Sequence, residues 1–119
     1  MLPSPTISVL GVDPKRQHRI NANSFQQNAI VSSHGWQYVA FYSPFPLSNG
    51  EIPVYVHLAR RQHGSTTGHV DGASEWQTMV FKDYNQTSDD GHDTISIGVC
   101  DGDGTIHIAF DHHCDRCAF

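Results

Sequence analysis

No apolar stretch in these 119 residues approaches the roughly 20 that a membrane-spanning helix needs, so no membrane partner is expected. Basic residues are scarce as well: seven Lys plus Arg stand against twelve Asp plus Glu, a formal charge of -5. That balance argues against a general nucleic-acid or anionic-membrane surface, and Arg60-Arg61 is too short a cluster to reverse it. Residues 1–12 lack the basic start and apolar core of a signal peptide. Helical periodicity is missing too: residues 16–27 are polar without a clean apolar stripe, and no other segment sustains a 3.6-residue repeat. Cysteine is sparse and odd in number, at positions 100, 114 and 117.

What is present is strand grammar. Ile95, Ile97 and Val99 alternate along one run, Ile106, Ile108 and Phe110 along the next, and Asp101-Gly102-Asp103-Gly104 lies between them. Two successive Asp-Gly dipeptides supply the positive φ that a tight reversal needs, so the pair is expected to form a hairpin, with His107 on its more exposed face. Aligning Gly35 with Gly104, an offset of 69 residues, superposes Tyr38-Val39-Ala40-Phe41-Tyr42 on His107-Ile108-Ala109-Phe110-Asp111. The same strand, turn, strand pattern thus occurs twice, with two further strand candidates between the copies, at residues 53–61 and 75–81. The repeating unit is four strands long, which is the description of a propeller blade. Its expected connections are Ser33-His34-Gly35, residues 43–50 with two prolines, and the polar, Gly-rich residues 62–74.

The expected fold class is all-β, a fragment of a β-propeller: one four-stranded antiparallel blade plus the first hairpin of the next. Residues 1–23 read as an irregular segment, 24–82 as the first blade and 83–119 as the start of a second, truncated one. A propeller closes with about four to eight blades. A single blade has two faces to cover, so apolar faces and strand edges are expected to stay open, with marginal stability in isolation.

Chemistry gathers at the ends of the hairpin. Asp89-Asp90-Gly91-His92 precedes its first strand and Asp111-His112-His113 follows its second, and a strand that folds straight back brings both clusters to one end. Histidine titrates near neutrality and suits general acid or base work. Asp90 and Asp111 are formal candidates for the carboxylate pair that glycoside hydrolysis normally uses. The competing structural reading has Asp90 capping a turn, His92 starting a strand and His112-His113 straddling the two faces. The tail also offers Cys114, Cys117 and His112, a ligand set that zinc accepts but one lacking a distant second pair; no cofactor is expected.

The residues Ser24-Phe25-Gln26-Gln27-Asn28-Ala29-Ile30-Val31, Gly35-Trp36-Gln37-Tyr38-Val39-Ala40-Phe41-Tyr42, Trp76-Gln77, Asp83-Tyr84, Asp90-Gly91-His92, Ile95-Ser96-Ile97-Gly98 and residues 103–113 resemble the amino-terminal part of the BNR-repeat-containing proteins of the BNR-4 type, notably their fungal members. The most specific piece is the joint spacing of Gly-His and Asp-His-His around Asp103-Gly104-Thr105-Ile106-His107. The resemblance implies a seven-bladed, commonly secreted propeller, hence an extracellular protein. Its relatives are ulvan-type polysaccharide lyases and α-L-rhamnosidases acting on rhamnose linked to glucuronic acid. It also implies catalytic roles for His92 and for His112 or His113, with a tyrosine and an arginine from later blades. Relatives carry Asn where this chain has Asp93, and they continue Cys-Asp-Pro-Leu where it reads Cys114-Asp115-Arg116-Cys117.

Three functions follow as expectations. The first is a fragment, inactive by itself, of a carbohydrate-active propeller that cleaves a uronate-containing polysaccharide by hydrolysis or elimination, with His92, His112 and His113 catalytic and Asp90 and Asp111 binding substrate. The second is a noncatalytic glycan-binding propeller, and the third a small zinc-binding β domain.

Overall fold

A computed structural model describes residues 7–23, 26, 28–62 and 75–113. Six strands carry the fold: β1 (Ile30–Ser33), β2 (Trp36–Pro44), β3 (Val54–Gln62), β4 (Gln77–Phe81), β5 (Ser96–Val99) and β6 (Ile106–Ala109). The first four form an antiparallel sheet in the order β1-β2-β3-β4, and β5 pairs with β6 in a separate hairpin. No helix occurs among the described residues. This is a four-stranded propeller blade followed by the first hairpin of the next, the all-β architecture that the repeat implies.

Pairing register assigns the faces. Opposite residues of an antiparallel pair share a side, so Ala40 with Leu58, Tyr42 with Val56, and Val56 with Phe81 define one face of the blade. This face meets Ile95 and Ile97 at the start of the hairpin, and Ile20 from the N-terminal segment closes the core; Tyr42, Ile20, Ile95 and Val56 are fully enclosed. Val31, Tyr38, Ile106, Ile108 and Phe110 pack around its margin. The opposite face pairs Phe41 with His57 and Ser43 with Tyr55. It is partly covered by the chain near Val12, whose N–H donates to Ser43 Oγ while its carbonyl accepts from the same hydroxyl. Residues 7–23 are therefore irregular but integral to the packing.

The two hairpin turns differ in a way the Asp-Gly repeat does not anticipate. His34 (φ 48) and Gly35 (φ 76) make a two-residue reversal in the left-handed region, matched to the twist of β1 and β2. Between β5 and β6 only Gly104 takes a positive φ, of 75, whereas Gly102 does not. That loop is wider, closed by Cys100 N–H to the Thr105 carbonyl and by Gly104 N–H to the Cys100 carbonyl. Strand β3 starts one residue later than expected, and β4 starts at Gln77. Most of the expected polar connection at 62–74 lies outside the described residues.

The open surface falls where a two-stranded hairpin fails to cover a four-stranded sheet. Against the four-stranded sheet, β5 makes its main contacts with β1 and β2. Met79, on the core face but out at β4, stays 60 % exposed, and Ile30 on the other face 53 %.

Candidate functional site

The loop from β4 to β5 is drawn in along the start of β3. Gln86 N–H donates to the Val54 carbonyl and Val54 N–H to Asn85 Oδ1. Arg16 then grips Gln86 through both its backbone carbonyl and its side-chain oxygen, at 2.8 and 2.9 Å. Farther on, Asp89 accepts the N–H groups of Gln17 and His18, and Asn23 donates to the Gly91 carbonyl. The N-terminal segment thereby fixes the turn that carries Asp90 and His92.

Within that turn the short Asp90 side chain does two jobs. Its Oδ1 accepts the His92 backbone N–H at 2.9 Å, the local turn expected of aspartate two residues ahead of a donor. The same oxygen meets His92 Nδ1 at 2.7 Å, while Oδ2 meets His113 Nδ1 at 2.9 Å. One carboxylate thus bridges two imidazoles whose ring centroids are 4.6 Å apart and whose planes are inclined at 48°. The three donors hold the Asp90 carboxyl far below the usual carboxylate range, the His92 N–H first among them. An ionised carboxylate only accepts, so Nδ1 carries the hydrogen in each ring.

His113 reaches this position because the chain bends sharply at Asp111, which adopts a left-handed φ of 45. Such a conformation costs a non-glycine residue about 1–2 kcal/mol, and its surroundings hold it there. Asp111 Oδ2 accepts Tyr84 OH at 2.6 Å, and Oδ1 accepts Tyr42 OH at 3.1 Å and Gln86 Nε2 at 3.2 Å. Tyr42 OH in turn accepts the Asp111 N–H. Burial raises the Asp111 carboxyl above its ordinary value, against the pull of these donors. Burial and the adjoining Asp111 charge push the Tyr42 phenol well above the usual phenol range. Asp93, fully buried, completes the bend: its Oδ1 takes the His113 N–H at 2.9 Å, while its Oδ2 has no hydrogen-bond partner.

The structure therefore brings together Asp90, His92 and His113 from the two ends of the hairpin. His112 is exposed and is not among the three residues whose donor atoms converge. Asp111, expected among substrate-binding groups, is only 8 % exposed, with both oxygens taken up by protein donors, so it is a structural hub behind the histidines and not a surface contact. Cys114 and Cys117, the remaining members of the expected zinc set, lie outside the described residues. Tyr42, Tyr84, Gln86 and Asp93 were not singled out by sequence as site residues. For Tyr42 a signal exists: the 69-residue offset superposes it on Asp111, the residue it bonds.

A four-stranded antiparallel meander followed by a two-stranded hairpin packed on its core face is the architecture of a β-propeller blade and the start of the next. A family model described as BNR repeat-containing family member matches residues 36–119, and the chain belongs to that family. None of the curated proteins matches the chain.

Proposed function

We propose that this chain belongs to a carbohydrate-active propeller that cleaves uronate-containing polysaccharide at a rhamnose-glucuronate linkage by elimination, with His92 and His113 exchanging the protons. The observation that carries the reading is the bridging of both imidazoles by Asp90. In such a reaction one imidazole takes the proton from the carbon next to the uronate carboxylate. The electron pair becomes a carbon-carbon double bond as the neighbouring bond to the glycosidic oxygen breaks, and the other imidazole returns a proton to that oxygen. Asp90 holds the two rings in compatible tautomers. The cation that neutralises the uronate carboxylate is assigned by the resemblance to later blades.

Elimination is favoured over hydrolysis because hydrolysis normally uses two carboxyl groups across the scissile bond. At this site Asp90 is engaged by both rings, and Asp111 is buried among its donors. Extracellular action follows from the polymeric substrate.

Product analysis on a rhamnose-glucuronate polysaccharide tests this. In the intact propeller that continues beyond this chain, elimination yields an unsaturated uronate with ultraviolet absorbance, and His92→Ala and His113→Ala are each expected to lower its formation by about 10²- to 10⁴-fold. Release of free rhamnose without the absorbing product, or unchanged turnover in both variants, overturns the assignment.

A further inference from the structure

We propose that Asp90, His92 and His113 form a binding site for one divalent transition-metal ion of the zinc type. The proposal does not rest on the polysaccharide reading. It concerns what else these three donors accept, whatever reaction the site supports.

The donor types come first. Two imidazoles and one carboxylate suit zinc and its neighbours among the transition metals, while magnesium and calcium prefer oxygen-only shells. Three protein ligands with the remaining position left to solvent is the open type of zinc coordination.

Geometry comes next. One donor atom from each of the three residues lies within 4.8 Å of the others. The Asp90 oxygens are already 2.7 and 2.9 Å from the two Nδ1 atoms. Zinc bonds of about 2.0–2.2 Å in a tetrahedral arrangement set neighbouring donors roughly 3.3 Å apart. The Asp90-imidazole distances must therefore open by about half an ångström, while the widest pair, up to 4.8 Å apart, closes by as much as about 1.5 Å. His92 and His113 can do so because their side chains are 49 % and 47 % exposed. Their backbones do not need to move. His113 N–H is held by Asp93, His92 N–H by Asp90, and the Asp90 carbonyl by Asp93 N–H.

Charge completes the case. In the metal-free site two N–H hydrogens face a single carboxylate, and a dication takes their place without uncovering a buried charge. Behind the three donors, the His113 N–H is fixed by the buried Asp93 Oδ1 at 2.9 Å. An ion here also joins residues 90–92 to residue 113 and so clips together the two ends of the β5-β6 hairpin.

The test is a zinc titration of the 119-residue chain followed by calorimetry, with no substrate present, so that its outcome is separate from that of the product analysis. One ion per chain is expected to bind, to persist in the Cys114→Ser/Cys117→Ser double variant, and to survive excess Mg²⁺. Asp90→Asn and His92→Ala are each expected to weaken binding more than about tenfold. In the unsubstituted chain, zinc is expected to shield His92 and His113 from diethyl pyrocarbonate, read residue by residue by mass spectrometry; this requires no variant to fold. Lack of shielding at both rings overturns the site. So does zinc binding that Asp90→Asn and His92→Ala leave intact, or binding lost with the two cysteines.

Discussion

At the scale of single residues, the site depends on a polar cluster that a surface inspection overlooks. Tyr42 OH donates to Asp111 and accepts its N–H, so one hydroxyl holds both the side chain and the backbone of a residue in the left-handed region. Removing it leaves a buried N–H without that acceptor and a buried carboxylate with one donor fewer. Loss of a partner to a buried polar group costs about 1–3 kcal/mol. Tyr42→Phe is therefore expected to lower the free energy of unfolding in urea by that amount. It is also expected to loosen the His92-His113 pair, seen as faster exchange of the imidazole signals in NMR spectra. An unchanged denaturation midpoint together with unchanged imidazole signals would show that the bend at Asp111 needs no such support.

At the scale of elements, the two reversals give a controlled comparison. Gly35 and Gly104 occupy positive φ, and a Cβ added at either would meet nothing within 4 Å, so only backbone strain opposes alanine there. Gly35→Ala and Gly104→Ala are each expected to cost about 1–2 kcal/mol. Gly102→Ala, at a position without positive φ and with only Cys100 Sγ at 3.8 Å, is expected to change stability by no more than about 0.5 kcal/mol. Equal losses at all three, measured by thermal unfolding, would mean that loop flexibility and not φ sets the cost.

The same comparison marks how far the sequence could be read. Period-two alternation reveals β5 and β6 because each has one face against a core and one toward water. The offset between Gly35 and Gly104 reveals the repeat because both glycines sit at the same left-handed turn position. The meeting of Asp90, His92 and His113 was legible as well, since a hairpin returns its ends to one place. The choice of His113 over His112 was not, because it depends on the bend at Asp111, whose left-handed φ is set by distant Tyr42, Tyr84 and Gln86. Nor was the part played by residues 7–23, whose hydrogen bonds reach as many as 72 residues ahead and leave no local periodicity.

At the scale of the whole molecule, the blade resembles one layer of a stack, buried on the side of the hairpin and dressed on the other by irregular chain. His57 lies on that second side, 7 % exposed, stacked on Phe41 at 5.2 Å and near Phe45 at 6.4 Å, with Nδ1 on the Tyr55 carbonyl. Desolvation lowers its pKa below the ordinary 6.5, so the unfolded chain binds this proton more readily than the folded one. Stability is then complete above about pH 6.5 and declines as the pH falls from there toward the folded-state value. Asp89, Asp90 and Asp103 have folded pKa values lowered from 3.8, so their contribution is full above that value and is lost only as the pH falls below it. Asp111, whose carboxyl is raised by burial, works with the opposite sign, its contribution growing as the pH falls toward 3.8, so a substitution that removes only the His57 titration identifies that source. His57→Phe keeps an aromatic ring against Phe41 and removes the titration. Urea unfolding between about pH 7 and 5 is expected to show falling stability in the unsubstituted chain and a shallower slope in the variant. An identical slope in both would place the acid sensitivity elsewhere, and would mean that the outer face of the blade opens to water readily enough to protonate His57 without unfolding.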